Sequence, residues 1–218
     1  MSATQTRPAS ATATAPTAHR PRWALGTAVA GAAVLAATAG AFALPALPTD
    51  GASVAMTHYM ELLATNQPWN LLMFMAAPVV LAETVAITEL ALLFNRDAKA
   101  WVTSLNRWAG IIGGLYFLAV FGYLMVNAAI PLTTGGGWRG PIDVIAVGGY
   151  LSGVVPLFGI ALLELRVLGR GLTDTARLKW HAAFVGLFLI VAHIAMIFGM
   201  LDPTLFGYHT AGHAGMHM

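Results

Sequence analysis

The chain has 218 residues, 58% of them hydrophobic and only 9% charged, with a formal net charge of +2. Soluble domains carry about 25% charged residues, so a water-soluble globule and a nucleic-acid-binding surface are both excluded. The absence of Cys excludes disulfides, iron–sulfur clusters and thiolate metal sites. What remains is an all-α integral membrane protein. Arg makes up nine of the eleven basic residues, and Ala and Gly abound, which suits a GC-rich bacterial genome and an inner (plasma) membrane location.

Residues 1–22 are rich in Ala, Thr and Pro and lack an apolar repeat, so they read as a disordered segment. Residues 23–201 read as a membrane domain of five spans, since a bilayer crossing needs about 20 apolar residues. The first span covers about 24–46. A rival reading is a cleaved signal peptide, because Ala41-Phe42-Ala43 resembles a small-residue cleavage site, but the stretch is longer than the usual apolar core of one. Residues 54–63 suggest a short helix lying on the membrane surface. The second span, 70–94, contains Pro78, Glu83 and Glu89. A polar loop from Asn95 to Arg107 precedes the third span, 108–131. A Gly-rich loop, 132–143, leads to the fourth span, 144–165, with Pro156 in its middle. A basic loop, 166–179, leads to the fifth, 180–201. Residues 202–218 form a tail rich in His and Met. Gly110 with Gly114, and Gly149 with Gly153, are spaced to let helix backbones approach closely.

The basic residues set the orientation. Ten of the eleven fall before the first span, between the second and third, and between the fourth and fifth, leaving only Arg139 on the other side. Lys and Arg accumulate in cytoplasmic loops, so the N-terminus is expected in the cytoplasm and the C-terminus outside.

With that orientation, His58, His209, His213 and His217 fall outside and His193 in the outer half of the last span. Met56, Met60, Met73, Met75, Met125, Met196, Met200, Met216 and Met218 share that side. His193, Met196 and Met200 lie on one helix stripe at i, i+3 and i+7. Imidazole with thioether suits Cu(I) better than Mg²⁺ or Ca²⁺, and Asp202 adds a carboxylate where the helix ends. Met also fills gaps in membrane helices, but a His at bilayer depth usually faces a partner, a cavity or a cofactor.

The acids give a second set. Glu83 and Glu89 are six residues apart, about 240° around the helix, so they point to different faces. A carboxylate at bilayer depth is costly unless protonated, paired or hydrated, and a Glu83–His193 contact is expected. Tyr116, Tyr123 and Asn127 share one face of the third span, either lining a hydrated cavity with Glu83 or bonding between helices. Glu164 is expected to meet Arg166, Arg177 or Lys179.

These features point to a small permease-like protein that binds or transports a transition metal, copper first among them, as an oligomer or with a partner subunit. The alternatives are a membrane redox subunit carrying copper or haem, and an assembly subunit without chemistry. Phosphate-loop, serine-hydrolase and zinc-protease motifs are all missing, which argues against an enzyme of those kinds.

Overall fold

The computed structural model describes residues 22–45, 56–95 and 99–208. Among them it contains five helices long and apolar enough to cross a membrane, and no strand. Helix α1 is Arg22–Ala43. A short α2, His58–Ala64, follows. The remaining long helices are α3 (Trp69–Phe94), α4 (Ala100–Gly135), α5 (Pro141–Glu164) and α6 (Asp174–Met200). The chain is thus compatible with a multi-pass membrane protein.

The long helices begin before their expected spans, most of all α4, at Ala100 rather than 108, and α6, at Asp174 rather than 180. Polar residues inside the expected loops are used at helix starts or buried between helices. Thr173 caps α6, its hydroxyl accepting from the Ala176 N–H at 3.2 Å, so the helix takes in much of the expected basic loop. In α4, Asn106 is buried rather than in a loop.

Helix α4 is the hub of the bundle, packing against α1, α3 and α5. Close approach comes from small residues, as their spacing suggests. A methyl group added at Gly114 would lie 2.4 Å from the Leu157 carbonyl oxygen, and one at Gly149 would lie 3.3 Å from the Ala195 nitrogen. Helix α6 packs on α3 and α5, while α1 sits at the periphery against α4.

Helix α2 does not lie on the surface. Tyr59, Glu61 and Leu63 are buried, and the fully buried Thr57 gives its hydroxyl to the Gly199 carbonyl at 2.8 Å. This wedges α2 between the start of α5 and the end of α6.

Prolines explain the irregular turns. A proline has no N–H and its ring crowds the carbonyl four residues back. A π-helical turn at Leu72–Ala76 stands just before Pro78, and a second at Met125–Ala129 just before Pro131. Pro78 leaves the Met73 and Phe74 carbonyls without their helical donor. Tyrosines supply it, Tyr116 donating to Met73 at 2.8 Å and Tyr150 to Phe74 at 2.5 Å. Likewise Tyr123 donates to the Pro45 carbonyl and Asn127 to the Ala41 carbonyl, fastening α1 to α4. The polar line of α4 therefore joins helices through backbone carbonyls. Tyr150→Phe should cost about 1–3 kcal/mol, the penalty of orphaning a buried carbonyl. Tyr116→Phe, at a more exposed bond, should cost less. Thermal unfolding in detergent reads both.

Candidate functional site

Ionisable side chains gather at three levels of the bundle. At the α2 end, Gly140 takes a left-handed φ of 87° and Pro141 starts α5. This places Asp143 in the first turn of the helix, where a negative charge meets the positive end of the helix dipole. Asp143 is fully buried. It accepts from the backbone N–H of His58 at 2.7 Å and of Arg139 at 3.0 Å, and faces the His58 Nδ1 at 2.5 Å. Arg139 in turn meets Glu61 at 2.6 Å and donates to the Met56 carbonyl at 2.6 Å. A carboxylate at Nδ1 puts the proton there and leaves Nε2 as an acceptor or ligand. His58 lines a cavity of about 340 Å³ with Glu61, Asn70, Tyr123, Asn127 and Arg139.

At mid-depth, Glu83, His193, Met75 and Met196 line a second cavity, of about 210 Å³, between α3 and α6. The direct Glu83–His193 contact is not formed. The His193 Nδ1 turns back to the Leu189 carbonyl of its own helix at 2.6 Å, which leaves Nε2 free. Glu83 makes no hydrogen bond or ion pair with any described residue. Tyr59 and Tyr150 border both cavities, their rings 5.0 Å apart, and so form the wall between them. Burial pushes the Tyr59 phenol up to about 12, so its face of that wall stays uncharged near neutral pH.

The third level is at the opposite end. Glu89, on the other face of α3 from Glu83, is buried, as is His181 of α6. The His181 Nδ1 lies 3.2 Å from Glu89 and its Nε2 lies 3.1 Å from Glu164. Asn106 donates to the Glu89 Oε2 at 3.0 Å, and Arg107 stands 3.8 Å from Glu164. Glu164 thus pairs with His181 and Arg107, on neighbouring helices, rather than only with the basic loop that follows it.

The remaining expected ligands take other places. The Met60 side chain packs beside Gly199, and Met56 is used through its carbonyl. Met200 is 69% exposed and does not border the His193 cavity. Asp202 caps the turn Pro203–Phe206, accepting from the Thr204 N–H and hydroxyl, each at 2.8 Å. His209, His213 and His217 lie outside the described residues. Among the described residues no three His, Asp or Glu side chains are grouped to hold a metal. Sequence reasoning missed Asp143, Asn106 and the role of His181. An acid just after Gly140-Pro141, a helix-start pattern, was the available signal for Asp143.

A family model described as a family of unknown function (DUF6803) matches residues 54–215. No curated protein and no solved structure matches the chain.

Proposed function

This chain belongs to the DUF6803 family of unknown function, and we propose that it is a permease-like protein of the bacterial plasma membrane that binds and passes copper as Cu(I). The basic residues favour an N-terminus in the cytoplasm, which puts the His58 cavity on the outer side. The observation that carries the reading is the lining of the mid-depth cavity. It brings together the His193 imidazole, the Met75 and Met196 thioethers and the Glu83 carboxylate. Thioether with imidazole selects a soft ion such as Cu(I). An unpaired carboxylate at bilayer depth gains from a cation. The His58 Nε2 offers a first ligand in the outer cavity, and the Tyr59–Tyr150 wall separates the two stations. Five helices around such small cavities favour work as an oligomer or beside a partner subunit.

Cu(I) titration of the purified full chain in detergent, against a chromogenic chelator, tests this. The wild type should take up Cu(I) stoichiometrically. His193→Ala with Met196→Ala should lose more than about 100-fold in affinity, since even outer-shell partners of a metal site are worth about 10–100-fold. His58→Asn keeps an amide donor for Asp143 and removes Nε2, so it should slow uptake and leave the inner affinity largely intact. Copper uptake no greater than that of empty detergent, or uptake unchanged in the double variant, overturns the reading and leaves the assembly role.

A further inference from the structure

The group at the opposite end of the bundle contains a proton count that has to be satisfied. His181 is 2% exposed and each of its ring nitrogens faces a carboxylate oxygen, Glu89 at 3.2 Å and Glu164 at 3.1 Å. A neutral imidazole carries one N–H. Its bare nitrogen would then set partial negative charge within 3.2 Å of a carboxylate oxygen in a medium of low dielectric. At rest a proton therefore occupies each gap, and the state short of one proton is the strained one. The Glu89 Oε2 also accepts from Asn106 at 3.0 Å, a bond that strengthens when the acceptor carries charge. The Glu89 Oε1 is buried without a hydrogen-bond partner, so a proton there would find no acceptor. Neither ring contact is a well-aligned hydrogen bond, which fits a ring held by its charge. The remaining charged neighbours are Arg107 of α4, 3.8 Å from Glu164, and Arg177 on the same helix as His181, which acts on Glu164 electrostatically. Both set positive charge beside the Glu164 carboxyl. The combination is an imidazolium between two carboxylates.

Access is one-sided. The Glu89 side chain is 3% exposed, whereas Glu164 is 13% exposed and Arg107 is 48% exposed. Glu164, the last residue of α5 and next to the loop that follows, is thus the most exposed of the three acid–base groups. We propose that Glu89, Asn106, Glu164 and His181 form a proton-exchange site, loaded and unloaded through Glu164. In unloading, the imidazolium passes its Nε2 proton to Glu164, which releases it to water. The neutral ring keeps Nδ1–H toward Glu89. Reloading is the reverse. Departure of the proton removes the positive charge between two carboxylates and leaves the unpartnered Glu89 Oε1 attractive to a cation. His181 and His193 are twelve residues apart on α6, about 18 Å at 1.5 Å per residue. A cation held in the His193 cavity would bear on this proton along the same helix, and this coupling, unlike the proton site itself, rests on the copper reading.

The site is tested by ¹⁵N NMR of the ¹⁵N-histidine-labelled full chain in detergent micelles, with His181 assigned by loss of its signals in His181→Gln. At pH 7 both His181 ring nitrogens should show the protonated, imidazolium pattern. Glu164→Gln and Glu89→Gln should each convert a large share of it to a neutral tautomer. A neutral ring in the wild type at pH 7 overturns the site, as does an imidazolium indifferent to both substitutions. Coupling is read separately, by proton release to a pH dye when Cu(I) is added. Release of about one proton per bound ion, lost in His181→Gln with Cu(I) still bound, supports it. Bound Cu(I) with no release refutes the coupling and leaves the proton site to the NMR result, and absent binding refutes the copper reading alone.

Discussion

Asp143→Ala should destabilise the protein by about 3–5 kcal/mol, because three donors lose a buried acceptor at about 1–3 kcal/mol each. At about 2–4 °C per kcal/mol for a chain of this size, the melting temperature in detergent should fall by roughly 6–20 °C. The carboxylate gathers the His58 ring, the His58 N–H and the Arg139 N–H, all within 3.0 Å. Its removal leaves each of these donors without its acceptor and frees α2 from the start of α5. His58→Ala removes one donor and leaves Asp143 with both backbone N–H groups. It should cost about 1.5–3 kcal/mol, as for a hydrogen bond to a charged group. The ordering is the test. If His58→Ala and Asp143→Ala lower the melting temperature equally, Asp143 is merely the partner of His58 and not the organiser of that end of the bundle.

Gly114→Ala should lose about 1–3 kcal/mol through overpacking, and Gly114→Val more. The added carbon would meet the Leu157 carbonyl oxygen at 2.4 Å and the Ala161 methyl at 2.6 Å, both on α5. Neither is the loose end of a long side chain, so α4 and α5 themselves have to part. The effect should reach the far cluster, because a carbon added at Gly110, one turn earlier, would lie 2.8 Å from Ile160 and 3.7 Å from the His181 ring. Gly186→Ala supplies the contrast. It lies within α6 with no neighbouring atom inside 4 Å, so it should be neutral or gain up to about 1 kcal/mol from helix propensity. Parallel melting curves decide the matter, and equal behaviour of the two alanine variants would show that the α4–α5 approach tolerates a methyl group.

The number of long helices was legible because twenty-odd apolar residues per crossing is a constraint of length and composition. Segregation of Glu83 from Glu89 to different faces was legible for a similar reason, since helical pitch fixes it. The close-packing glycines could be named from their spacing, but their partners, Leu157 for Gly114 and Ala195 for Gly149, came only with the fold. The His193 stripe divides in the fold. Met196 shares the cavity with His193, while Met200, at 69% exposure, points elsewhere. A stripe spaced i, i+3, i+7 spreads over a helix face wider than one small cavity. Asp202 looked like a ligand and is a turn cap, a competition between local backbone and metal that residue type alone cannot judge.

The polar groups show the same division. Sequence by itself determined that Glu83, Glu89 and His193 lie within apolar spans and that each would need a partner, water or an ion; it did not single out His181. Tertiary structure decided which of them met. Glu89, Asn106, Glu164 and His181 come from four different helices, and His58 and Asp143 are 85 residues apart. No periodicity links residues on separate helices. Their pairing is set by which helix faces pack, and those faces are chosen by the glycine contacts of α4 and α5 and by the tyrosines that satisfy carbonyls freed by Pro78. Burial then makes the pairing consequential, because in a low-dielectric interior a charge left without its partner is among the costliest faults a fold can carry.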